Sequence, residues 1–137
     1  HYNGERYLAE IPETDIPWLY RVKSLLEAGL PLAAGSDSPV VPNNPFIGLH
    51  SAVTRLASSG DILKPEEAIE PYEALGLFTK GAAYAASEEH IKGKIAPGYL
   101  ADLVLMSDDP TRTPYQDIPK ITVEKTFLKG LLAWERD

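Results

Sequence analysis

Leu19, Val22, Leu25 and Leu26 recur at helical spacing, and Gly29 supplies the stop. With no linker between, Gly29-Leu30-Pro31-Leu32-Ala33-Ala34 follows at once, an apolar run that predicts a buried strand over Leu30–Ala34. The run closes in Gly35-Ser36-Asp37-Ser38-Pro39. A helix, a buried strand and an Asp loop in that order are an α/β signature, and such folds place their chemistry at the carboxyl ends of the strands. A carboxylate there is costly to bury unless a cation or hydrogen bonds compensate it. A metal ion, an acid–base partner or backbone N–H groups could each do so. The structural alternative is an Asp that caps the next turn.

The chain has 137 residues, enough for one domain with a real core. Its formal net charge of -7, without a basic cluster, argues against nucleic acid and anionic membrane surfaces as partners. No apolar run approaches the roughly 20 residues of a membrane span. Cysteine is absent, which excludes disulfides and thiolate metal sites and favours a cytoplasmic setting. The opening at His1 has no basic region followed by an apolar core, so no signal peptide is expected there; a mature product or excised fragment is.

Residues His1 to Pro17 read as loop. A helix is expected from Pro17-Trp18 to Glu27, the strand Leu30–Ala34 next, and a rigid loop through Pro39, Pro42 and Pro45. Phe46 to Leu56 carries Ile47, Leu49, Ala52, Val53 and Leu56 in helical register. Lys64 to Glu70 predicts a turn or short helix, and Pro71 opens a helix that continues to Ala86 with a break near Gly81. From Ile91 the texture becomes β-like: a strand over Leu100–Met106, then a hairpin of Ile121–Leu128 and Leu131–Glu135 around Lys129-Gly130.

His1, His50 and His90 form no pair at metal-ligand spacing. His50 reads as a surface or partly buried helix residue and His90 as solvated. The acidic pairs Glu66-Glu67, Glu88-Glu89 and Asp108-Asp109 are sequence neighbours, which do not share a helix face, so they read as charged surface. No nucleophile elbow, phosphate loop or dinucleotide fingerprint occurs. Asp37 is left as the one strong site candidate. Arg55 fits either a substrate carboxylate or a salt bridge, and it stays unassigned.

Several motifs in order carry a family resemblance. Leu25-Leu26-Glu27-Ala28-Gly29, Gly35-Ser36-Asp37-Ser38-Pro39-Val40 and Ala52-Val53-Thr54-Arg55 come first. Glu73-Ala74-Leu75 with Thr79 and Ala82-Ala83, the run Gly93 to Val104 with Ala101-Asp102-Leu103-Val104, and Val123, Thr126 and Gly130 follow. From about Tyr20 to Glu135 the chain resembles the closing part of an amidohydrolase-superfamily enzyme, of the amidohydrolase-3, YtcJ-like branch.

The resemblance implies a (β/α)8 barrel with a metal centre, zinc as a rule, and a composite β-sandwich built from both chain ends. It implies that Asp37 is both catalytic and metal-binding, touching the metal or its water and passing a proton to the leaving amine. Asp102 would be structural, bonding turn amides near Gly98. A barrel needs about 250 residues, so most of one is missing. The expected fold is therefore an α+β fragment. Residues 1–86 would be the last helix-strand-helix of the barrel, and 87–137 the C-terminal β-strands of the sandwich.

The implied activity is hydrolysis of C–N bonds in non-peptide or cyclic amides, by the full-length protein on a small-molecule substrate. The fragment alone is expected to be inactive and to bind no metal tightly. The competing reading is a non-catalytic module that completes or oligomerises another polypeptide. Homo-oligomerisation through exposed apolar surface is expected, with the hairpin region and the Ala-rich helix making the core.

Overall fold

The computed structural model describes all 137 residues. It is an α+β arrangement of five short helices and one sheet. The helices are α1 (Gly4–Glu10), α2 (Val22–Glu27), α3 (Pro45–Thr54), α4 (Pro71–Gly76) and α5 (Ala82–Ala85). The strands β1 (Leu103–Met106), β2 (Val123–Leu128) and β3 (Leu131–Glu135) form an antiparallel sheet in that order.

The longest helix, α3, has a clear start and stop. The Asn44 side chain accepts a hydrogen bond from the Phe46 N–H at 3.0 Å, and Pro45 sits where a missing N–H costs nothing. Arg55 ends the helix in the left-handed region at φ 60°, its N–H donating to Ser51 O at 2.8 Å. Phe46, Leu49, His50 and Val53 recur on one buried face. Their core partners are Ile69, Ala74, Leu77, Ile118 and Ile121, each large apolar side chain contributing about 1.5–3 kcal/mol. The core is thus made by α3, α4 and the turn Tyr115–Lys120. Of the expected hairpin region only its entry shares in the core, Ile121 buried and Val123 packed against it part-buried, while β3 stays exposed.

Three sequence expectations are corrected. The opening stretch is not all loop: Gly4–Glu10 holds helix formers and an Arg6–Glu10 pair at 3.8 Å, hidden in the sequence by aromatic and proline flanks. The helix expected from Pro17 to Glu27 begins only at Val22, because Tyr20 at φ 45° separates it from the turn Ile16–Trp18. Leu30–Ala34 is extended but joins no sheet, and Leu30 is 49% exposed. A parallel strand needs neighbours that these residues do not include. Instead, the Ala34 N–H donates to Leu77 O at 3.1 Å. The segment lies so close to the helical layer that a Cβ on Gly81 would stand 2.1 Å from Leu32 O.

The helix opened by Pro71 does continue to Ala85, through a π-helical stretch at Leu77–Gly81 near the expected break. The hairpin also forms as expected: Lys129 (φ 51°) and Gly130 (φ 80°) both take the left-handed conformation that a tight two-residue turn demands. All of β3 is exposed, including Leu131, Leu132 and Trp134. No helix is long and apolar enough to cross a membrane.

Candidate functional site

A cavity of about 540 Å³ opens between α2, α3 and the extended segment. Val22, Leu25, Leu32, Ile47 and Leu77 wall it with apolar surface, and Ser51 and Arg55 supply polar groups one helical turn apart. Tyr7 and Tyr20 close one side, their hydroxyls 2.9 Å apart. That hydrogen bond, with burial, pushes the Tyr20 phenol up to about 12.

Gly35 and Ser36 line the cavity, and Asp37 follows them directly, exposed and at φ 58°. Ser36 Oγ accepts from the Ser38 N–H at 3.2 Å, and Asp37 O accepts from the Val40 N–H at 2.9 Å. These bonds bend the loop and hold Asp37 in a conformation that Asp tolerates better than most residues. The Asp37 carboxylate itself enters no ion pair or hydrogen bond, so it does not serve as a turn cap.

No group of three or more His, Cys, Asp or Glu side chains converges to hold a metal ion. These residues therefore do not build a metal centre by themselves; the chemistry of Asp37 fits one oxygen ligand of a larger set. His50 is buried on α3 with Nδ1 unpartnered. Burial, with the charged amine of His1, pushes its imidazole below the ordinary range. His90 is exposed.

Glu67 is the residue that sequence reasoning missed. Expected on the surface, it is 4% exposed. Its carboxylate accepts from the Ser24 N–H at 2.9 Å and from the Ser24 hydroxyl, closing the first turn of α2 from a distant part of the chain. Burial pushes this carboxyl up, but the two Ser24 bonds and the charges of Lys64 and Arg21 outweigh it and hold the group below its ordinary range. The only local signal was Pro65, which places Glu67 in a short turn rather than on a free helix face. Asp102 is structural, as expected, but its partner is different. Its Oδ1 accepts from the Lys129 N–H of the hairpin turn at 2.8 Å, not from amides near Gly98.

The geometry thus gives an apolar cavity beside an exposed, unpaired carboxylate, and similarity to known proteins supplies the class. An uncharacterised metal-dependent hydrolase of Pyrococcus horikoshii matches 82% of this chain and 23% of its own at TM-score 0.71 and 26% identity. The YtcJ amidohydrolase-type protein of Bacillus subtilis is 32% identical over 138 residues, covering 90% of this chain and 26% of its own. The N-substituted formamide deformylase of Arthrobacter pascens is 31% identical over 118 residues, 86% of this chain and 22% of its own. The amidohydrolase family pattern matches residues 6–132. The chain belongs to the amidohydrolase family. It spans about a quarter of the length of these curated relatives.

Proposed function

We propose that this chain is the C-terminal part of a metal-dependent amidohydrolase that hydrolyses C–N bonds in non-peptide or cyclic amides. The observation that carries it is the unpaired Asp37 carboxylate, at the end of an extended segment in a chain that the family pattern matches nearly throughout. Similarity to a deformylase of N-substituted formamides supports a C–N bond in a small molecule as the target. Residues 1–86 are read as the closing portion of a (β/α)8 barrel and 87–137 as strands of a composite sandwich. The extended Leu30–Ala34, apolar and without a ladder partner, supports the barrel reading.

Zinc, held mainly by ligands outside these residues, would polarise the carbonyl and acidify water. Within this chain the work falls to Asp37, which accepts a proton at the reacting centre and returns it to the leaving nitrogen. Ser36 and the turn to Val40 shape the backbone that carries that carboxylate. The 137 residues alone are read as inactive and without tightly bound metal. A soluble cytoplasmic setting and self-association through uncovered apolar surface complete the reading.

The test is Asp37→Asn in the longer polypeptide. Loss of about 10²–10⁴-fold in kcat is expected for a general acid–base group. A rate near that of the unaltered enzyme removes Asp37 from the mechanism. A non-catalytic, completing module is the second reading; a longer polypeptide lacking any hydrolase activity on amides would favour it.

A further inference from the structure

We propose that the π-helical turn Leu77–Gly81 is the seat that positions Asp37, with Gly81 as a positioning residue for the hydrolysis. The turn holds the backbone of residues 32–34 and, through it, sets where the carboxylate stands. The inference rests on the reading that Asp37 is the acid–base group of the reaction.

The seat is made by backbone on both sides. Leu77 opens the π-helical turn, and its carbonyl accepts the Ala34 N–H at 3.1 Å. Four residues on, Gly81 lies against the same segment: a Cβ there would stand 2.1 Å from Leu32 O and 3.2 Å from Leu32 C. A main-chain carbonyl cannot swing aside as a side chain can, so only glycine lets the two backbones approach this closely. Leu32 and Ala34 also pack against the core cluster that contains Leu77. The turn is fixed in its own right. Gly93, at φ 90°, comes so near that a Cβ on it would stand 2.9 Å from Lys80 Cα and from Ala83 Cβ. A π-helical turn inside a longer helix frequently marks a functional site.

The seat has leverage because nothing beyond it anchors the loop. The hydrogen bonds of residues 35–43 are Ser38 N–H to Ser36 Oγ and Val40 N–H to Asp37 O, both internal to the loop. The next tie to the fold comes only where Asn44 caps α3. Ala34 is therefore the last residue tied by a hydrogen bond to another element before Asp37, three positions later. A shift of Ala34 carries straight to the carboxylate, and a misplacement of about 1 Å can cost as much as 10²-fold in rate.

The test compares Gly81→Ala with Gly76→Ala, whose added Cβ meets only the far end of the Lys80 side chain, at 3.0 Å. In the 137-residue chain Gly81→Ala is expected to speed exchange of the Ala34 amide hydrogen about tenfold or more and to shift the Gly35, Ser36 and Asp37 amide resonances. Gly76→Ala is expected to do neither. In the longer polypeptide Gly81→Ala should lower kcat about tenfold or more and leave KM within about twofold. In an Asp37→Asn background the same change should lower kcat less than about twofold, because no carboxylate is left to misplace. Unmoved resonances at 35–37, or equal kcat losses with and without Asp37→Asn, overturn the proposal. Ala34→Pro removes the N–H that Leu77 O accepts and tests the seat from the other side if Gly81→Ala does not fold; it should give the same pattern, and its failure to do so overturns the seat equally. A near-parent rate for Asp37→Asn alone overturns the acid–base reading instead, and the resonances still decide whether the turn positions the loop.

Discussion

Glu67 shows how one carboxylate can organise a region. It sits beneath the first turn of α2 and takes both the amide and the hydroxyl of Ser24. Truncating it to Ala leaves a buried N–H unpaired, so Glu67→Ala should destabilise the fold by about 1–3 kcal/mol, measured by urea unfolding. The pH dependence has a definite sign. The folded carboxyl titrates below its ordinary value of 4.5, so its contribution is complete above that value and is lost as pH falls through the lowered one. Unfolding at falling pH should therefore show a drop below about 4.5 that Glu67→Gln flattens; an unchanged profile refutes the assignment. Asp37, by contrast, stood out in the sequence because a polar residue after an apolar run is locally anomalous. Glu67 looked like any acidic pair member, since its burial is decided by Ser24, 43 residues away.

Among the elements, the extended Leu30–Ala34 and the π-helical Leu77–Gly81 define each other. The Ala34 amide and the near-contact of Leu32 O with Gly81 lock them together. A methyl at position 81 has no room beside a backbone carbonyl. Gly81→Ala should cost about 1–3 kcal/mol, seen as a lowered Tm, and should displace the segment that leads to Asp37. A Tm equal to that of the parent would show that the contact yields. Hairpin, turn and helix starts followed from short-range chemistry: Lys129-Gly130, Asn44-Pro45 and Pro71 each act within a few residues. The pairing of Leu30–Ala34 did not, because a ladder requires neighbours that a strand's own sequence does not contain. The α1 helix was masked by its aromatic and proline flanks and also by Gly4, a weak helix former kept where a Cβ would stand 2.7 Å from that of Ala57.

The molecule as a whole leaves much apolar surface uncovered. Val104 and Trp134 flank Thr126 in one row across the sheet, Leu131 is 75% exposed, and β1 and β3 each have one unpaired edge. Open edges and apolar rows invite association. Sedimentation of the isolated chain should give a mass that rises with concentration, and Trp134→Lys should lower that tendency. A mass that stays at one chain throughout overturns the expectation. The family and the α+β class were readable because ordered motifs survive in a part of a protein. The core was only half readable: Ile121 falls in a run that reads as β, but Ile118, beside Pro119, lies in a stretch with no periodic signal, and both reach α3.

Both tryptophans lie at the surface, Trp18 at 70% exposure beneath the Arg21 guanidinium and Trp134 on the outer strand. Their emission in the native state is expected to lie near that of wetted indole. Emission wavelength, the customary monitor of denaturation, will therefore be a poor gauge of unfolding here; a blue shift will instead report that something has come to rest against the sheet.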